Sequence, residues 1–321
     1  MKRMWMFMLV ALAAATVSRG ATNYCLQLPG TDSAMVTPTN SYGDRLRDFM
    51  VSARIRPAQL SSISNQVVAE RILRAGSQSW TKFSLGLGHD NRPFFRFETL
   101  GHNLYAVNAT TPIRTGRWSH VAAAYDHVSG MACVFVNGKL AGSQAIFEES
   151  APESILTGTT TVGAHASTNE TPALDACFAG WMDEVQVWDG AFAQPQIASN
   201  LYAKPSGTEP KLVGCWNFDD QTAGDVTTNG LDGALLGAAA IVPRHIACDP
   251  PLSLSCGDPV LFRFQSLPDT PYAVEYCTNL SAGTWTALQD EVAGDGGIIQ
   301  IEDPAGANAG RFYRAKAPLD P

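Results

Sequence analysis

Charged residues supply only 16% of this 321-residue chain, and its basic side chains form no run. With a formal net charge of −8, the chain lacks the electrostatic footprint that nucleic acid requires of a partner. None of the seven cysteines falls in a Cys-x-x-Cys pair, which removes zinc cages and thioredoxin-type redox sites. There is no His-Glu-x-x-His, no Gly-x-Ser-x-Gly elbow and no Walker loop, and Gly86 and Gly88 lack the third glycine of a dinucleotide motif. Long amphipathic helical patterns are missing as well. After the N-terminus no second long apolar run occurs, so no membrane span is expected.

What is present begins with Lys2 and Arg3, an uncharged stretch from Met4 to Val17, and the small residues Ser18, Gly20 and Ala21 around Arg19. This is the pattern of a signal peptide over residues 1–20, cut after Gly20. The stretch is too short for a bilayer span, which needs roughly 20 apolar residues. The mature chain is therefore expected outside the cytoplasm, secreted or at the cell surface. There, cysteines commonly pair.

From Tyr24 onward, short segments of β-branched and aromatic residues alternate with Gly, Pro, Asn and Asp, which predicts an all-β sandwich. The expected strands are 24–28, 50–55, 66–72, 82–87, 94–99, 118–125, 131–136, 160–162, 184–188 and 212–218. Phe95 and Phe97 share one face, with Arg96 and Glu98 on the other. Asn137-Gly138 supplies the positive φ angles of a tight hairpin turn. A single short helix is expected over 194–201, with Pro195 near its start. First and last strands of a sandwich often lie side by side, which suggests a Cys25 to Cys215 disulfide. The odd cysteine count leaves at least one thiol over.

Asp249-Pro250-Pro251 follows a small-residue stretch and precedes fresh strands, which places a sandwich domain over 21–242, a linker over 243–255 and a second domain over 256–321. So small a domain is near the size where one core just suffices, and a bridge from Cys277 to Cys248 or Cys256 would help it.

The block Trp118-Ser119-His120-Val121-Ala122, then Val134 to Gly138, then Phe178 to Trp188, then Ile197, resembles the laminin-G-like, concanavalin A-like jelly rolls, near the pentraxins. Cys25 to Gly30 and Phe49 to Pro57 fit its leading strands. The resemblance implies two packed antiparallel sheets with a concave face, used across the family to recognise carbohydrate, glycoprotein or lipid head groups, often with calcium. Trp118, Val121, Tyr125, Phe135, Val185 and Trp188 are of the type that fills such a core, so they identify a scaffold rather than a site. The tail, with Tyr272 to Leu280, Trp285 and Arg311 to Arg314, resembles small β-sandwich modules appended to exported bacterial proteins.

The jelly roll also carries glycoside hydrolases, which need two carboxylates facing one sugar. Asp183 and Glu184 are adjacent, so an unbroken strand points them to opposite faces, and Val185 and Val187 are inert. No enzyme is expected. His120 is expected to be a satisfied histidine of the sandwich. Pentraxin-like calcium ligation is put in doubt, because Gly163 to Ser167 and Ser62 to Asn65 lack most of the carboxylates. A structural calcium using Asp90 and Asn91, or Asp32 with Asp183, is set against ordinary turn chemistry.

Sugar binding without metal calls for an aromatic platform beside amides and carboxylates. The loop and rim residues that could supply it are Trp80, His89, Asp90, Asn91, Arg92, His102, Asn103 and Tyr105. The leading expectation is thus a secreted, non-enzymatic module for polysaccharide or glycoconjugate. The alternative is a structural surface or matrix protein whose partners are other surface proteins.

Overall fold

The computed structural model describes residues 24–40, 46–58, 65–76, 78–99, 101–148, 157–167, 173–199, 204–243, 253–255, 259–266, 271–279, 284–294, 298–304 and 310–316. The expected signal segment, the loop over 62–64, Cys248 and Cys256 lie outside these residues. The chain forms two compact units, Tyr24–Arg244 and His245–Pro321.

The first unit contains β1 (Tyr24–Pro29), β2 (Ala34–Val36), β3 (Phe49–Pro57), β4 (Gln66–Ala75), β5 (Gln78–Leu87), β6 (Pro93–Glu98), β7 (Leu104–Asn108), β8 (Ser119–Asp126), β9 (Met131–Val136), β10 (Lys139–Ala145), β11 (Thr157–Val162), β12 (His165–Ala166), β13 (Leu174–Asp175) and β14 (Ala179–Trp188). A short helix, α1 (Gln194–Ser199), then leads to β15 (Leu212–Trp216), β16 (Ala234–Leu236) and β17 (Ala240–Pro243). One antiparallel sheet runs β10-β9-β8-β3-β14-β1-β17, with β15 also on β14, and the other runs β16-β2-β11-β4-β5-β6-β7.

Alternation along these strands drives the packing. Phe49, Phe83, Phe95, Phe97 and Tyr125 point between the sheets and are fully buried there. Phe49 is the hub, with its ring centroid 6.0–6.3 Å from those of the other four. The β9–β10 hairpin closes on Asn137 (φ 49°) and Gly138 (φ 75°), the left-handed pair its Asn-Gly sequence favours. On the outer face of the first sheet, Met50, Ala122, Ala124, Phe135, Trp188, Leu212 and Cys215 form a second cluster, covered by Ile197 of α1. The helix starts with the Gln196 side chain accepting the Ala193 N–H, half of a capping box.

Three expectations need correction. Strand parity fails at Asp183 and Glu184, because β14 bulges against β3 between Asp183 and Gln186 and Glu184 adopts φ 50°. The inserted residue means that adjacency no longer assigns the two to opposite faces. Both are nonetheless buried, and Asp183 Oδ1 accepts the Glu184 N–H, so the pair does not face a sugar. His120 is not satisfied: its Nδ1 is buried without a hydrogen-bond partner. The bridge expected between Cys25 and Cys215 is not formed, since Cys215 is a buried free thiol. The two lie along one edge of β14 but at different levels, Cys25 just beyond the Leu26–Met182 pair and Cys215 opposite Gln186.

After β15 the chain makes a loop organised by one carboxylate. Asp225 Oδ1 accepts the N–H groups of Cys215 and Thr227, and Oδ2 accepts the Thr227 hydroxyl at 2.7 Å and the Leu231 N–H at 3.1 Å. This holds Leu231 so that its carbonyl accepts the Trp216 indole N–H at 2.9 Å. Removing the carboxylate leaves those donors unmet. Asp225→Ala is expected to lower stability by about 3 kcal/mol in urea unfolding, with Asp225→Asn recovering part of the loss.

The second unit pairs β18 (Ser253–Ser255), β19 (Val260–Gln265) and β22 (Ile298–Asp303) in one sheet, and β20 (Pro271–Cys277), β21 (Thr286–Ala293) and β23 (Phe312–Lys316) in another. Phe262, Phe264, Tyr272, Val274 and Ile301 make its core. Buried Asp303 accepts from Arg311 at 2.7 Å and from the Tyr313 hydroxyl at 2.8 Å, and the Arg311 guanidinium lies 3.8 Å over the Tyr276 ring. Cys277 is a free buried thiol, so it is not bridged to Cys248 or Cys256. Aromatic packing and this buried ion pair hold the unit instead.

Candidate functional site

The eight residues picked from the sequence fall at the two ends of the β5–β6–β7 meander, and not on one surface. His89, Asp90, Asn91 and Arg92 form the β5–β6 turn, where Asp90 is engaged by the Arg92 N–H at 3.0 Å and by its guanidinium at 3.3 Å. Asn91, at φ 59°, is buried, with its amide nitrogen 3.5 Å from the Ile113 carbonyl. This is turn chemistry, with Asn91 facing inward and His89, Asp90 and Arg92 exposed. A carboxylate held by its own arginine and an amide turned into the protein do not converge on a cation, so the turn does not fit calcium. Asp32 and Asp183 do not converge either, being separated by most of β1, a span of roughly 13 Å at about 3.3 Å per residue. Among the described residues no three His, Cys, Asp or Glu side chains group as metal ligands.

Trp80, His102, Asn103 and Tyr105 do gather, at the opposite end. Trp80 is 8% exposed and stacks on the exposed His102 ring, with centroids 4.9 Å apart and planes 23° from parallel. Its indole N–H donates to His102 Nε2 at 3.1 Å, so the neutral imidazole carries its proton on Nδ1. The backbone at His102 is left-handed, φ 59°, which turns the chain tightly from β6 into β7. The exposed partner of this stack is therefore the histidine.

Beside it stands Glu148, which follows β10 of the other sheet. Its Oε2 accepts the Thr99 hydroxyl at 2.8 Å and the Asn103 amide at 3.1 Å, and its Oε1 accepts the Tyr105 hydroxyl at 2.7 Å. Asn103, Tyr105 and Thr99, in that order of effect, hold its pKa below the usual carboxylate range, and the shared hydrogen bond pushes Tyr105 up. The Tyr125 hydroxyl donates to the Ile146 carbonyl at 3.3 Å and also bonds the Glu148 carbonyl, which fixes this segment to the core. The result is an exposed, ionised carboxylate fixed among an amide, two hydroxyls and a stacked imidazole.

A second polar surface lies on the outer face of the β4–β5–β6–β7 sheet, where Glu70, Ser84, Arg96 and Ala106 follow one another in register. Glu70 is buried beneath the half-exposed His165, whose Nδ1 lies 2.6 Å from its Oε1. That hydrogen bond raises the His165 pKa. Arg96 lies 4.3 Å over the Phe94 ring. With the Asn65 amide oxygen turned toward the guanidinium, it accepts from Nη2 at 2.9 Å and Nη1 at 3.3 Å.

Sequence reasoning does not reach Thr99, Glu148, Asn65 or Arg96 as site residues. Glu148 stands 43 to 49 positions from its donors, and no local pattern joins them.

Comparison with known proteins places the architecture. No curated protein matches the chain. Among solved structures, the SAP-like pentraxin of Limulus polyphemus superposes with a TM-score of 0.50 at 17% identity, over 70% of this chain and 97% of that one. A Bacteroides ovatus protein described as carbohydrate binding superposes with a TM-score of 0.51 at 17% identity, over 69% of this chain and 60% of its own. At such identities the likeness is one of fold. A laminin G-type family model, described as the concanavalin A-like lectin/glucanases superfamily, matches residues 29–198, which is 170 of the 321 residues. On that match, with two antiparallel sheets packed face to face, the chain belongs to the concanavalin A-like lectin/glucanases superfamily.

Proposed function

We propose that the mature chain is an exported, non-enzymatic module that binds polysaccharide or glycoconjugate. The observation that carries this reading is the Glu148 cluster with its imidazole stacked on Trp80. A pyranose presents C–H faces to a flat ring and hydroxyls to amides and carboxylates, and these groups stand side by side here in fixed positions. Glu148 retains acceptor capacity beyond its three protein donors, and Asn103 retains an amide hydrogen and its oxygen. The shared fold with a protein described as carbohydrate binding supports the same reading. Against hydrolysis stands the burial of Asp183 and Glu184.

The test is a glycan array run with the wild-type chain and with His102→Ala and Asn103→Ala. Each substitution is expected to weaken binding roughly tenfold, the effect of a lost ring contact or hydrogen bond. Unchanged binding in both variants, with signal present, would move the site elsewhere. A second reading has its own observation: Phe147, 84% exposed, lies against Gly130 of the β8–β9 turn, which also carries Val128, 81% exposed. Two such side chains suit contact with another surface protein, and that reading predicts an array silent for every glycan.

A further inference from the structure

Arg96 is held in place and is not neutralised. Among the described residues no carboxylate forms an ion pair with it. Glu98, two residues along the same face, has its carboxylate engaged by the Thr81 N–H. A guanidinium offers five N–H donors in a planar fork, and Asn65 takes the edge formed by Nη1 and Nη2. The Nε–H and the remaining Nη hydrogens stay open, and the side-on edge they form matches the two oxygens of a carboxylate. Phe94, buried under the guanidinium, fixes its plane.

The open surface beside Arg96 lies on the β7 side, where Ala106 and Asn108 are exposed, while Ser84 and Gly86 on β5 are buried. Arg96 is flanked in register by Ser84 on one side and the exposed Ala106 on the other, and Gly86 stands opposite Phe94. A Cβ at Gly86 would meet the Phe94 ring at 2.5 Å, so the absence of a side chain there lets the ring lie flat beneath the arginine. Exposed Asn108, opposite Phe94, adds an amide at the rim. Asparagine-held arginine over an aromatic ring differs from a solvated surface arginine in that its orientation is fixed before anything binds.

We propose that this face takes an acidic sugar, with the carboxylate of a uronic acid on the open side-on edge of Arg96 and the sugar ring over exposed Ala106, beside Asn108. The inference rests on the reading of the chain as a glycan-binding module and names a ligand class for a surface separate from the Glu148 cluster. An otherwise acidic chain would then concentrate its attraction for acidic polysaccharide in one oriented cation.

The test is titration calorimetry of the full mature chain with an oligogalacturonate and with the same oligosaccharide after carboxyl reduction. The wild-type chain is expected to bind the acidic form and to lose roughly 10- to 100-fold on reduction, the range for a charge-assisted bidentate contact. Arg96→Met, which keeps a long apolar stem over Phe94, is expected to lose as much for the acidic form and nothing for the reduced one. Arg96→Lys is expected to fall between, because it restores the charge without the fork. Melting curves matching the wild type confirm that each variant is folded. Equal affinity for both forms, or acidic binding indifferent to Arg96→Met, would overturn the proposal while leaving glycan binding intact. An array silent for neutral and acidic glycans alike would remove the reading beneath it as well.

Discussion

Replacing Phe49 by alanine is expected to lower the stability of the jelly-roll unit by about 3–5 kcal/mol, the range for deleting a fully buried aromatic side chain from a close-packed core. The reason lies in how many partners share that one ring. Phe83, Phe95 and Phe97 come from the β4–β7 sheet and Tyr125 from the opposing one, so Phe49 is packed by both layers at once. Lys82 also rests its ammonium 5.6 Å from the ring, a contact the alanine cannot replace. Urea unfolding is the measurement: the midpoint should fall while the slope stays constant. A loss under about 1 kcal/mol would show that the cavity collapses and that the hub is dispensable.

The second large effect is in acid. Burial, with Arg54 directly opposite on β3 adding like charge, pushes the His120 pKa down from 6.5 to about 3. Although the residue keeps some surface, its Nδ1 is buried without a partner, and protonating it means placing a charge there. The folded state thus holds the neutral ring, while the unfolded chain takes up the proton near pH 6.5. This stability is present above that value and is lost as pH falls toward 3, at up to about 1.4 kcal/mol per pH unit. Between pH 6.5 and 4 the chain should lose about 3 kcal/mol that His120→Gln does not lose. His165 has the opposite sign. Its pKa is raised, chiefly by the Glu70 hydrogen bond, so its contribution is complete below about 6.5 and fades as pH rises through the folded value. It is more than a third exposed, so solvent screening keeps this a minor counterweight. If wild type and His120→Gln lost stability in parallel, the buried nitrogen would not be the cause.

Much of the sandwich is legible in the sequence because a half-buried strand writes its period into its side chains. Phe94 to Glu98 alternates cleanly, and Asn137-Gly138 marks its own turn. In the first unit the strands that escape the reading are β2, β7, β10, β12, β13, β16 and β17. β7 (Leu104–Asn108) and β10 (Lys139–Ala145) are end strands whose residues are mostly exposed, so burial imposes little pattern on them. The bulge at Asp183 to Gln186 is invisible for a different reason: it needs one glutamate at positive φ, which no residue type announces.

The site is less legible. Sequence reasoning groups Trp80 and Tyr105 with His89 to Arg92 because all are polar or aromatic loop residues, but a meander sends successive turns to opposite ends of a sheet. Trp80 has the chemistry of a platform, yet the fold buries it under His102. Alternation puts Arg96 on the wet face, whereas its lack of an acid partner and its hold on Asn65 arise only when β4 and β6 stand two strands apart in one sheet. Such relations belong to tertiary structure.

The most direct test of the central claim is a glycan-array screen of the chain from Ala21 onward, run with calcium and again with chelator. The account predicts binding to a restricted set of glycans, acidic ones among them, that survives chelation, since the contacts proposed for it are an imidazole, amides, a carboxylate and an arginine. Silence under both conditions would contradict it.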